Sequence, residues 1–97
     1  MIQFGICQGR LEKSETGELQ SFPYATWQNE FYNAKKLNIN YIELLTEKTY
    51  NQKNPIWSKN GCRLIKQLLS SNNLISYSLC DNYILTHSLT EKSTFEY

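Results

Sequence analysis

Five polar residues in this chain stand within, at or just beyond the ends of short apolar runs: Gln8, Arg10, Glu43, Cys80 and Asp81. Glu43 interrupts the apolar run Tyr41–Leu45. A carboxylate there is costly to bury unless it is paired or ligated. It suits a group that holds a sugar-like hydroxyl or orients a metal-bound one; a strand-end glutamate neutralised by a nearby Lys or Arg is the plainer alternative. Arg10 follows Gly9, and its planar fork matches phosphate or carboxylate, although an arginine in that place also serves as a solvated or ion-paired residue. Gln8 beside it can hydrogen-bond a hydroxyl. Asp81, in Cys80-Asp81-Asn82-Tyr83, is either a ligand contact or ordinary Asp-Asn turn chemistry. The sole histidine, His87, reads as a surface-loop residue next to a helix cap. Cys7, Cys62 and Cys80 form no C-x₂₋₄-C pair, so a zinc site is not expected. Nothing in the sequence lowers a cysteine pKa for a Cys-His nucleophile, and no glycine-rich loop cradles phosphate.

Three apolar segments and two amphipathic ones must position these groups. The first strand is expected at Ile2–Cys7, with Ile2, Phe4 and Ile6 on one face and Gln3, Gly5 and Cys7 on the other. A polar loop follows over Gln8–Ala25. Thr26 can cap a helix running to about residue 38, whose buried stripe is Trp27, Phe31, Ala34 and Leu37, and Asn38 tolerates a left-handed terminus. The second strand is expected at Asn40–Leu45, with Ile42 and Leu44 opposite Tyr41, Glu43 and Leu45. Asn54-Pro55 marks a turn, and Ser58 caps a helix over 58–71 with Cys62, Ile65, Leu68 and Leu69 inward. The third strand is expected at Leu74–Cys80, with Ile75, Tyr77 and Leu79 opposite Ser76, Ser78 and Cys80. Ser88-Leu89-Thr90-Glu91 fits a capping box that opens a third helix. This β-α-β-α-β-α order predicts a parallel sheet with right-handed crossovers. The larger apolar residues of every strand share one face under the helices, and the small and polar ones share the other. That asymmetry fits the inner wall of a barrel better than a sheet with helices on both sides.

The chain has 97 residues, one domain's worth, whereas a closed (β/α)₈ barrel takes ~200 residues or more. The expected fold is therefore α/β, a partial (β/α)₈ TIM barrel of about three βα units with parallel strands, and residues 1–97 form a single domain. Ten Lys and Arg balance nine Asp and Glu, and they are scattered, so nucleic acid is not an expected partner. No signal-like start or membrane-length apolar stretch is read. Three cysteines without tight spacing suggest free thiols in a reducing compartment, the cytoplasm. Unpaired strand edges predict self-association.

GICQGRL (Gly5–Leu11), LQSFPYATWQNEF (Leu19–Phe31), YIELL (Tyr41–Leu45), NPIWS (Asn54–Ser58) and YSLCDNYILTHSL (Tyr77–Leu89) occur in an order that resembles the N-terminal part of sugar phosphate isomerases/epimerases of the xylose-isomerase-like TIM-barrel superfamily. The resemblance covers residues 1 to about 90. It is to the branch with a QGRL strand end and an aromatic-Pro-x-x-Trp helix start. Where that branch has Cys-x-Asp-Tyr, this chain has Asp81 and Asn82 in the two middle positions, and either can take the aspartate's place. The resemblance implies isomerisation or epimerisation of a sugar or sugar phosphate at a divalent metal held by strands of the second barrel half. This chain would then supply Gln8, Arg10, Glu43, Cys80 and Asp81 as substrate contacts. It would hold no catalytic residue and no metal of its own, and would be inactive alone. A non-catalytic partial barrel that binds or assembles with another chain is the alternative, and a fragment of a superfamily endonuclease acting on abasic DNA is a third.

Overall fold

The computed structural model describes residues 2–14, 16–17 and 21–87. The third helix expected from Ser88 lies outside them. Three strands, β1 (Gly5–Cys7), β2 (Tyr41–Thr46) and β3 (Leu79–Asp81), form a parallel sheet in the order β1-β2-β3. Two helices, α1 (Asn29–Lys36) and α2 (Lys59–Ser71), make the crossovers. Phe22, Trp27, Phe31 and Ala34 from the α1 segment, Ile65 from α2, Ile42 from β2 and Leu74 form one buried cluster, with Ile6 and Leu44 packed against it. Both helices thus cover the β2 face that carries Ile42 and Leu44.

The helices end where side-chain chemistry dictates. Ser58 Oγ accepts from Gly61 N at 2.9 Å and starts α2. Asn38 and Asn73 adopt left-handed φ values of 58° and 57°. Ile39 N donates to Ala34 O at 2.9 Å and Leu74 N to Leu69 O at 2.8 Å, so the two helices close by the same Schellman arrangement. The start of α1 differs from the expectation at Thr26. Residues from Pro23 to Phe31 are tied by bonds spanning three residues, such as Thr26 N to Pro23 O and Asn29 N to Thr26 O, and regular helix begins only at Asn29. Thr26 Oγ1 is buried with no hydrogen-bond partner among the described residues, so it is not the cap.

The outer strands are shorter than their apolar patterns predict. Ile75 pairs with Tyr41, yet Leu79 pairs with Leu44. One extra residue on the third-strand side therefore interrupts the ladder and shifts the alternation. Leu74 becomes the buried residue, while Tyr77 turns its ring against Tyr41 at 5.5 Å, edge-on. Ile75, Tyr77 and Leu79 do not pack under the helices as a set; all three are exposed. Ile2 and Phe4 of the first segment are likewise 78% and 63% exposed, leaving Ile6 as the β1 side chain that reaches the core.

Candidate functional site: the polar face and the strand ends

The register places Gly5 beside Tyr41, Cys7 beside Glu43 and Cys80 beside Leu45. These residues share the face opposite Ile42. Gly5 is required there, because a Cβ would fall 2.0 Å from the Tyr41 ring. One Glu43 carboxylate oxygen accepts from Ser78 Oγ at 2.7 Å, a contact that the extra residue before β3 makes possible. The Cys7 thiol bonds to the same carboxylate, and its pKa rises from 9.0 to about 11. Burial is the main cause, followed by the negative charge of Glu43 and then Cys80; Arg10 opposes the rise with its positive charge. Glu43, Cys80 and Arg10 therefore each lie within electrostatic reach of Cys7. Cys7 remains a thiol at neutral pH, which suits hydrogen bonding and not nucleophilic attack.

Gln8 and Asp81 occupy different positions. Gln8 is 3% exposed. Its N–H continues the ladder to Glu43 O at 2.9 Å, and its side-chain oxygen then accepts from Leu45 N at 2.8 Å. The amide thus replaces the backbone of β1 where the chain turns away at Gly9. Asp81 pairs in register with Thr46, so it faces away from Glu43. Its carboxylate accepts from Thr46 Oγ1 at 2.6 Å and from Tyr83 N at 3.2 Å. The structure thus brings Arg10, Glu43 and Cys80 to one side and ties Gln8 and Asp81 into the strand ends.

Two further amides finish those ends. Asn54 Nδ2 donates to Leu45 O at 2.8 Å, and Asn82 Nδ2 to Thr46 O at 3.0 Å. Both asparagines are buried, although in sequence they read as turn residues; both cap the last carbonyls of β2, Asn54 from the loop after that strand and Asn82 from just beyond β3. His87 is half-buried and not a plain surface residue: its ring stacks on Tyr83 at 3.8 Å, and Nδ1 lies 3.1 Å from Tyr83 O.

Beside Arg10, the loop forms an open pocket of about 460 Å³ lined by Gly9–Ser14 and Gly17. A second, apolar groove of about 590 Å³ lies on the helix side, between α2 and Leu44 with Leu74–Ser76. Among the described residues, no group of three or more His, Cys, Asp or Glu side chains is placed to hold a metal ion, and no helix is long and apolar enough to cross a membrane.

No protein-family model matches the chain, and neither a curated protein nor a solved structure is significantly similar to it.

Proposed function

We propose that this chain is the substrate-facing part of a metal-dependent sugar or sugar-phosphate isomerase/epimerase, built as the first three βα units of a (β/α)₈ barrel. The observation that carries the reading is Glu43, a half-buried carboxylate on the sheet face opposite α1 and α2, bonded to Ser78 and Cys7, with Cys80 on the same face and Arg10 within electrostatic reach of Cys7. A polyol needs that set: a carboxylate to accept from hydroxyls, neutral O–H and S–H groups to complete the network, and a guanidinium for a phosphate. Such sites lie at the carboxyl ends of barrel strands; Cys80 stands in β3 near that end, and Glu43 lies mid-strand in β2, further down the same face. Gln8 and Asp81 hold the rim that the ligand would meet.

The divalent metal of such chemistry polarises the substrate's carbonyl and hydroxyl oxygens. The described residues do not fit that ion, and what they supply is recognition. Glu43 orients a hydroxyl, Ser78 fixes the Glu43 rotamer, and Arg10 neutralises an anionic end. Equilibrium dialysis with D-fructose 6-phosphate tests this. Glu43→Gln and Arg10→Gln should each weaken binding by about tenfold, the equivalent of ~1.4 kcal/mol, with the unfolding midpoint nearly unchanged. Affinity that survives both substitutions would overturn the reading.

A second reading, a partial barrel that assembles with another chain, is favoured by the edges. Ile2, Phe4 and Tyr77 are exposed along the two outer strand segments, and among the described residues each outer strand pairs only with β2. It differs from the first in predicting association without sugar binding.

A further inference from the structure

The Glu30 side chain has no part in the site just described, yet it is 1% exposed. Its carboxylate accepts from Gly9 N at 2.9 and 3.1 Å and from Leu11 N at 3.1 Å. The amides of Arg10 and Glu12 also favour its charged form. The backbone from Gly9 to Glu12 thus curls around one carboxylate, the concavity that backbone nests offer to anions. Gly9 allows the curl: its φ is +89°, and a Cβ there would meet Ser21 O at 2.8 Å. Burial raises the Glu30 carboxyl above its ordinary value, while the four amides pull it back down.

We propose that Glu30 is a positioning residue: by gripping the backbone on both sides of Arg10 it fixes where the guanidinium sits, within electrostatic reach of Cys7. The carboxylate is anchored in α1, which the core holds through Phe31 and Ala34. The polar loop is thereby tied to a rigid element, and Arg10, itself exposed, is presented from a fixed backbone. The guanidinium would then be pre-placed for the anionic end of the ligand, a consequence that rests on the function proposed above; the placement itself does not.

Cys7 reports the placement without any ligand, because Arg10 is the positive charge that lowers its pKa. The experiment is site-resolved alkylation of the full chain by iodoacetamide at pH 8.5, read by mass spectrometry, with Cys62 on α2 as the internal reference. Arg10→Gln should slow Cys7 alkylation by about threefold, the size of one partly screened charge. Glu30→Gln should slow it similarly with Cys62 unchanged, and the double variant should be no slower than Arg10→Gln alone. Deleting the Glu30 charge by itself would act in the opposite sense, so a Cys7 rate that is unchanged or faster with Cys62 constant overturns the proposal. Unfolding would speed both cysteines together. In that case amide exchange in the unsubstituted chain decides: protection of Gly9 and Leu11 N–H comparable to that of β2 supports the proposal, and exchange at an open-loop rate overturns it. Failure of every variant to bind D-fructose 6-phosphate would count against the proposed function and leave the Cys7 result standing.

Discussion

Cys7, Gln8 and Glu30 show how local chemistry is distributed around the first strand end. The thiol is held protonated to about pH 11, against 9.0 ordinarily. The unfolded chain then loses that proton first as pH rises, so this group's stabilising contribution is complete below about pH 9 and declines toward pH 11. Urea midpoints at pH 8 and pH 10 should show a smaller decline for Cys7→Ser than for the parent chain. Gln8→Ala would leave the buried Leu45 N–H without its partner, at a cost of about 1–3 kcal/mol, measurable by the same titration. Glu43 was legible in the sequence because a carboxylate inside an apolar strand demands an explanation. Gln8 reads in the sequence as a hydroxyl contact, and its bond to Leu45 N was not legible there, since it depends on β1 ending at Cys7. Glu30 went unread: it falls three residues after Trp27 and four before Ala34, on the buried stripe, and its partners are backbone amides that leave no mark in a side-chain pattern.

At the scale of elements, strands and helices follow their patterns where burial is two-sided or capped, and depart at the edges. Ser58 and the left-handed Asn38 were readable from residue type alone, while Asn73, its counterpart after α2, was not singled out. Asn38→Ala and Asn73→Ala should each cost about 1 kcal/mol, because only glycine and asparagine take that conformation cheaply; the corresponding glycine substitutions should be near neutral in chemical denaturation. The alternation through Ile75, Tyr77 and Leu79 predicted one face and was broken by one extra residue. A regular pattern cannot reveal that shift, since the period stays intact in sequence and only the pairing changes. Thr26 failed as a cap for a related reason. The bonds from Pro23 onward already tie the turn, leaving its hydroxyl nothing to satisfy.

At the scale of the molecule, a three-stranded parallel sheet covered by α1 and α2 on one face leaves its edges and its polar face for other groups to meet. Exposed apolar side chains along unpaired edges favour association. Sedimentation velocity should show mass increasing with concentration, and a monodisperse monomer with a sharp melt above ~60 °C, ordinary for an intact domain, would contradict this. Incubation with Mg²⁺ or Mn²⁺ and D-fructose 6-phosphate should give no isomer from the chain alone, assayed by product chromatography. The central claim, that the Glu43 face is a sugar-phosphate surface, is tested most directly by hydrogen exchange mass spectrometry of the chain with and without D-fructose 6-phosphate. The account predicts protection in peptides spanning residues 5–12, 41–46 and 78–81, lost in Glu43→Gln. Protection confined to the apolar groove at 62–76, or none at saturating ligand, would contradict it.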